Sequence, residues 1–229
     1  MPVCRACFAR LEPLAAEFFC VSCRTPFLNR YPLDDQGRCA LCRNGLRGFD
    51  AAYCYGAYEG ALRELIHLFK YGRVRTLDRR LSDLLASALP RDERFDAVTA
   101  VPLHWRKRWQ RGFNQSDLLA RRISRRTGIP LVTVLKRVRA TAVQAGLSSA
   151  ARRRNVAAAF ETRRGAALAG KRILLNDDVR TTGATGAACA RALKRAGAGR
   201  VALVTVARVD RRIGGWQTAA QSVSGGNQG

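Results

Sequence analysis

The 229-residue sequence has no apolar stretch approaching the ~20 residues needed to cross a bilayer. Its N-terminus, MPVCRACFAR, lacks the apolar h-region of a secretory signal. Both absences point to a soluble, cytoplasmic chain that is not membrane-spanning. Acidic residues are scarce: 17 Asp and Glu stand against 41 Lys and Arg, for a formal net charge of +24. That excess goes beyond what solubility requires and implies an anionic partner, whether nucleic acid, a phosphorylated metabolite or an acidic membrane face. Histidine is nearly absent. His67 falls in a helical pattern and His104 in a loop pattern, and each reads as structural or incidental rather than as a general base. Wholesale disorder is not expected, because 47% of the residues are hydrophobic and can fill a sizeable core.

What is there falls into three pieces. Residues 1–50 carry cysteine pairs and few long apolar runs. Residues 51–209 alternate helical and strand patterns. Residues 210–229 are polar and glycine-rich and read as a flexible tail. In the middle piece, Leu62, Leu65, Ile66 and Phe69 share one helical face. A second helix is expected near 78–88, a strand at Ala97–Val101 stopped by Pro102, and a helix over about 115–126. A strand follows around Ile173–Leu175, then a small-residue helix over about 184–197, then a strand at Val201–Val206. Strands separated by helices predict an α/β fold with a parallel sheet flanked by helices. Ligands in such sheets sit beyond the carboxyl ends of the strands.

Six of the eight cysteines form C-x-x-C pairs, Cys4/Cys7, Cys20/Cys23 and Cys39/Cys42. In a cytosolic chain this favours metal or redox chemistry over disulfides. A C-x-x-C knuckle turns two thiolates toward one tetrahedral Zn²⁺, and four such ligands close a structural site. The spacing from Cys20 to Cys42 is that of a zinc ribbon. Cys4 and Cys7 either join Cys20 and Cys23 instead, share an incomplete second site, or are vestigial; a redox role for one pair also stays open. A segment as small as 1–50 buries little apolar surface, so the metal would supply most of its folding free energy. Cys54 and Cys189 are isolated and read as small buried hydrophobes.

The segment Ile173 to Thr185 reads ILLNDDVRTTGAT. Its apolar start is a buried strand, and two acids follow where a ligand can meet them. Thr181 to Thr185 leads straight into a helix, so free backbone N–H groups and the helix dipole make an anion site. Gly183 lets the backbone approach a phosphate, and Thr181, Thr182 and Thr185 add hydroxyl donors. A second block, VPLHWRKRWQRGFNQ at 101–115, places Arg106, Lys107, Arg108 and Arg111 after a core strand, where planar guanidinium forks suit pyrophosphate or a nucleic-acid backbone.

The first segment closely resembles the motif by which type I phosphoribosyltransferases bind 5-phosphoribosyl-1-pyrophosphate (PRPP). Asn176 departs from it, standing where that motif usually has an apolar residue. The resemblance implies that Asp177 and Asp178 hold the ribose hydroxyls, support Mg²⁺ through its waters and carry the catalytic site. It implies that Thr181, Thr182, Gly183, Ala184 and Thr185 cradle the 5′-phosphate.

The whole chain, from the cysteine pairs to the last strand, resembles the ComF family of competence-associated, phosphoribosyltransferase-like proteins. The resemblance rests on Arg111-Gly112-Phe113-Asn114-Gln115, Lys70-Tyr71, Gln144, and Arg154-Asn155-Val156 before Phe160. It implies a type I phosphoribosyltransferase fold with an N-terminal zinc-ribbon module, structural Zn, and PRPP with Mg. Arg108 and Arg111 would lie in a pyrophosphate loop. It also implies work on single-stranded DNA entering the cell during natural transformation, with a DNA-uptake or helicase protein as partner. ComF-like proteins often carry four cysteine pairs serving two zincs, whereas this chain has three. Two function classes follow: a DNA-handling protein that uses the PRPP site as a ligand module, and a genuine Mg-dependent phosphoribosyltransferase acting on a nucleobase or other small acceptor.

Between His104 and Arg154, Asp117 is the lone acid among many Lys and Arg residues. Arg121, Arg122, Arg125 and Arg126 lie on one helix and read as an electrostatic footprint for a phosphate backbone. Trp105, Trp109 and Phe113 are interleaved with the loop arginines, as aromatics that stack on single-stranded bases would be. The competing reading is a solvated basic surface with the aromatics packed inward.

Overall fold

The computed structural model describes residues 8–72, 74–103, 105–138 and 159–209, with backbone alone at 106–108. Cys4, Cys7, His104, Gln144, Arg154-Asn155-Val156 and the 210–229 segment lie outside the described residues, as do the side chains of Arg106, Lys107 and Arg108.

Four strands form the central sheet: β3 (Ala51–Ala57), β4 (Ala97–Ala100), β7 (Arg172–Arg180) and β8 (Arg200–Arg208), in the order β3-β8-β7-β4 and all parallel. Among the described residues, the helices α2 (Gly60–Lys70), α3 (Leu77–Ser87), α4 (Trp105–Arg111), α5 (Gln115–Thr127) and α6 (Ala184–Arg195) accompany it. Successive side chains of a strand point to opposite faces, and β7 uses this fully. Ile173 and Leu175 pack with Leu203 and the small residues of α6, while Leu174 packs with Val98 and the apolar faces of α2, α3 and α5. Burial on both faces is why β7 and β8 read as continuous apolar runs rather than alternating ones. Leu81 and Leu85 of α3 are fully buried; truncating either to Ala would cost roughly 2–5 kcal/mol.

Ahead of the sheet, β1 (Phe18–Phe19) and β2 (Pro26–Phe27) form a short antiparallel pair, followed by the single-turn helix α1 (Ala40–Arg43). A second small antiparallel pair, β5 (Leu135–Arg137) with β6 (Phe160–Thr162), packs near α6. The α/β architecture, the parallel sheet and the flanking helices agree with the sequence.

Three local readings change. Strand β3 was not legible as a strand: Tyr53, Cys54 and Tyr55 are half-exposed and Gly56 interrupts the apolar pattern, because among the described residues β3 is an edge that pairs with β8 alone. The basic block after Pro102 is not a plain loop, since Trp105–Arg111 is helical. Finally, β7 does not stop before its acids. Its ladder with β8 continues through Asp177↔Thr205 to Arg180↔Arg208, whereas β4 ends at Ala100 opposite Asn176. The acids are therefore still in a strand, but beyond the end of its neighbour, open on one edge.

Candidate functional site

The cysteine cluster is built by two tight corners. Cys20 and Cys23 lie on the turn between β1 and β2, where Arg24 takes a left-handed φ of 52°. Cys39 and Cys42 bracket the start of α1. The four sulfurs all lie within 4.8 Å of one another, and Cys20, Cys23 and Cys39 are buried. The Cys39 amide donates to Cys20 Sγ at 3.3 Å, the backbone support a thiolate needs. The neighbouring Cys23 and burial push the Cys39 thiol far up, and burial with the neighbouring Cys39 pushes Cys42 up to about 12. Four clustered sulfurs ionise together only if a cation sits among them, so the donor set fits a soft divalent ion in tetrahedral coordination. Cys189 is a fully buried part of the α6 face.

At the open edge of β7, Ser116 Oγ donates to Asp177 at 2.9 Å, and the Asp178 amide donates to the same Asp177 oxygen at 2.9 Å. Burial and the adjacent Asp178 push Asp177 up to about 7, against the pull of those two donors and of Lys70. Asp178 pairs with Lys70 Nζ at 3.0 Å, both only 13% exposed. One acid is thus poised between charge states and the other is held beside a cation. Asn176, the departure from the motif, is fully buried and donates from Nδ2 to the Ser116 carbonyl at 2.7 Å. It ties β7 to the first turn of α5 and so brings Ser116 to Asp177.

Beyond the acids, Thr181–Gly183 turns the chain into α6. Gly183 has φ 80° and precedes the first helical residue. A side chain would be strained there. Thr182 Oγ1 accepts from the Ala184 amide at 3.4 Å. The 12-residue helix leaves the N–H groups of its first turn facing outward from the sheet end.

The Arg111–Gln115 block lies beside these groups, with Tyr71 next to Lys70 on one side and Ser116 on the other. Arg111 donates to Gln115 Oε1 at 3.0 Å and to the Tyr71 hydroxyl at 3.2 Å, with its guanidinium 4.9 Å over the Tyr71 ring. The Gly112 carbonyl accepts from Arg75. Asn114 caps α5 by accepting from the Ser116 amide and donates to the Val101 carbonyl. Phe113 is buried against Phe69, with ring centroids 5.6 Å apart, so it does not stack on a base. Lys70 and Tyr71, adjacent at the end of α2, thus serve one acid and one arginine. Trp105 and Trp109 are 67% and 84% exposed.

The arginines of α5 differ from the reading of a free basic face. Arg121 pairs with Asp117 at 3.0 Å, Arg122 with Asp78 at 2.8 Å and Arg126 with Asp83 at 2.8 Å. Asp78 and Asp83 come from α3, which packs on α5; no spacing rule on α5 reveals them. Sequence reasoning also missed Ser116, the Lys70–Asp178 pair, and a cavity of about 370 Å³ between the cysteine segment and the sheet end. That cavity is lined by Phe27, Tyr31 and Leu41 on one side and by Arg180, Thr181 and Arg208 on the other.

No family model matches the chain. Among curated proteins it is 36% identical over 155 residues to competence protein F of Haemophilus influenzae, a match covering 64% of this chain and 68% of that protein. It is 39% identical over 154 residues to DNA utilization protein YhgH of Escherichia coli, covering 63% and 66% of the two chains. Among solved structures, an allosteric regulatory enzyme of purine biosynthesis superposes with a TM-score of 0.41 at 26% identity, over 58% of this chain and 26% of that one. A glutamine PRPP amidotransferase from B. subtilis gives a TM-score of 0.41 at 27% identity, over 57% and 26%. With its acid-bearing strand, its Arg111–Gln115 block and an identity of this extent, the chain belongs to the competence protein F (ComF) family.

Proposed function

We propose that the chain is a PRPP-binding protein of the phosphoribosyltransferase type that acts on single-stranded DNA during its uptake or processing, in the cytoplasm. One observation carries the PRPP reading: Asp177 and Asp178 stand at the open end of β7, and the same strand runs through Thr181–Gly183 into the first turn of α6. Carboxylates that accept sugar hydroxyls and backbone amides that hold a phosphate are then spaced along one continuous segment. Lys70 pairs with Asp178, and Ser116 with the Asp178 amide orients Asp177. Mg²⁺ accompanying the pyrophosphate would be met through its waters by these acids. Arg108 and Arg111 stand near the pyrophosphate end in this reading. Arg111 reaches it only by leaving Gln115 and Tyr71. The proposal takes 1–50 as a zinc-ribbon module on Cys20, Cys23, Cys39 and Cys42, and 51–209 as the PRPP-binding domain.

The test is calorimetric titration with PRPP·Mg²⁺. The double variant Asp177→Ala/Asp178→Ala should weaken binding at least 100-fold, about 2.7 kcal/mol. Single-stranded DNA binding should stay within a few fold. Undiminished PRPP binding by a folded double variant would refute the site.

The DNA reading is favoured by the exposed Trp105 and Trp109 on a helix whose sequence, WRKRWQR, sets three cations between the two indoles. The relatives carry names that tie them to competence and DNA utilization. A second reading, turnover of PRPP with a nucleobase acceptor, is favoured by the cavity beside Thr181 and Thr182. Pyrophosphate release with a panel of nucleobases separates it from ligand binding without reaction.

A further inference from the structure

We infer that Arg180 is a positioning residue of the Thr181–Thr185 loop, held in place by the cysteine centre through the hydroxyl of Thr25. The inference rests on the reading of that loop as the phosphate site.

Thr25 is 1% exposed and sits between two partners. Its Oγ1 lies 2.9 Å from Cys23 Sγ and 2.8 Å from Arg180 Nη1. A guanidinium only donates, and a hydroxyl has one proton and two lone pairs. Arg180 therefore donates to Thr25, and the Thr25 proton is left for the sulfur. A metal-bound thiolate is an acceptor, so loading the centre fixes every proton in the chain Arg180, Thr25, Cys23 in one direction.

Charge supports the same arrangement. Four thiolates around a divalent cation carry two net negative charges. Two arginines from the ends of adjacent strands reach into the cysteine segment: Arg180, and Arg208, which donates to the Pro26 carbonyl at 2.6 Å and lies 3.9 Å over the Phe27 ring. Both are at most 9% exposed and they stand opposite each other in the β7–β8 ladder. Among the described residues no carboxylate forms an ion pair with Arg180, and the Thr25 hydroxyl that accepts from it leads to the cysteine centre.

Arg180 immediately precedes Thr181. Its side-chain stem lies under the loop, with Cδ 3.6 Å from where a Cβ on Gly183 would stand, and Leu41 of α1 is 3.7 Å from the same point. The cysteine segment thus grips the chain just before the loop through Thr25 and Arg180, and flanks its turn through Leu41.

The test uses the full chain loaded with zinc, its metal content measured for every variant. Amide hydrogen exchange is followed at 181–185, and PRPP·Mg²⁺ affinity by calorimetry. Thr25→Val removes the hydroxyl at constant shape and should speed exchange of the loop amides about tenfold while zinc content stays whole. Affinity should fall about tenfold, the effect of losing one hydrogen bond to a charged group. Thr25→Ser, which keeps the hydroxyl, should match the wild type in both. Wild-type loop exchange in zinc-loaded Thr25→Val would overturn the inference. If that variant fails to hold zinc, stepwise chelation of the wild type gives the answer: exchange at 181–185 should rise in step with metal loss while Ala97–Ala100 stays protected. A loop indifferent to metal loss would overturn it equally. Should PRPP bind neither protein while loop exchange still responds to Thr25→Val, the positioning claim stands and the PRPP reading is what fails.

Discussion

Two sets of arginines face different fates in this molecule. Those of α5 looked, in sequence, like the obvious anion-binding surface, yet Arg121, Arg122 and Arg126 are engaged by carboxylates at 2.8–3.0 Å. Arg180 and Arg208 drew no notice, being single residues at the ends of strands. They are buried, and their partners are a threonine hydroxyl, a carbonyl and an aromatic ring of the cysteine segment. A count of charge therefore locates neither the ligand nor the structural joints. What matters is whether an acid on a neighbouring element has already answered the cation. An exposed ion pair of the α5 kind contributes little to stability, about 0–1 kcal/mol, whereas a buried cation stripped of its acceptor is expensive.

The largest expected effect tests the buried set. If the four cysteines hold a structural metal, removing it by chelation or by Cys39→Ser should take away a binding free energy on the order of 10 kcal/mol. Hydrogen exchange should then show loss of protection across Phe18–Arg43, with the β4-β7-β8 core still protected. Retained protection in the metal-free chain would mean the buried arginines hold the segment by themselves. Next in size is Trp109→Ala on the α4 helix. It should weaken single-stranded oligonucleotide binding about tenfold, in line with about 1–3 kcal/mol per stacked base, with no change in melting temperature, because that side chain is 84% exposed.

A smaller effect belongs to Asp177. Burial and Asp178 push it up to about 7 from an ordinary value of 3.8. Between those two values the folded chain binds a proton that the unfolded chain releases. Through this group, stability is therefore full below about pH 4 and is lost as pH rises through 7. Ligand affinity should move the opposite way, falling several-fold as pH drops from 8 to 6, since a protonated carboxyl accepts fewer sugar hydroxyls. Comparing urea unfolding and PRPP calorimetry for wild type and Asp177→Asn isolates both slopes. Identical slopes in the two proteins would show that Asp177 is charged throughout.

Much of the sheet was readable because β7 and β8 are buried on both faces and so appear as unbroken apolar runs. The α5 boundaries were readable because Asn114 caps one end and Gly128, at φ 75°, stops the other. The Asp177–Thr185 segment stood out as a candidate site because its groups are contiguous, and the structure shows it as the end of β7 and the entry to α6. What escaped is what depends on partners far along the chain. β3 is an edge strand defined by its pairing with β8. Asn176 looked like a flaw in a core strand until Ser116, sixty residues away, supplied its partner. Thr25 and Arg180 are separated by 155 positions, and no local pattern pairs a turn threonine with the last residue of a strand. Phe113 was misassigned for the same reason: it lies between α4 and α5, and its partner Phe69 is on α2.

The smallest expected effect is the sharpest test of the comparison between the two arginine sets. If α5 were the nucleic-acid face, Arg121→Ala and Arg126→Ala would each weaken single-stranded DNA binding and reduce the dependence of log affinity on log salt by about 0.7. The structure predicts otherwise. Each of these guanidinium groups faces a carboxylate, so an approaching phosphate must displace an existing partner and gains little net charge. Both single variants should bind DNA within twofold of wild type with an unchanged salt slope. Loss of either exposed pair should move stability by less than about 0.5 kcal/mol. Arg125 supplies the control on the same helix: it is exposed, and none of the α3 acids is paired with it. If Arg125→Ala lowers the salt slope while Arg121→Ala does not, the pairing with acids, rather than the position on α5, decides which arginines meet the phosphates.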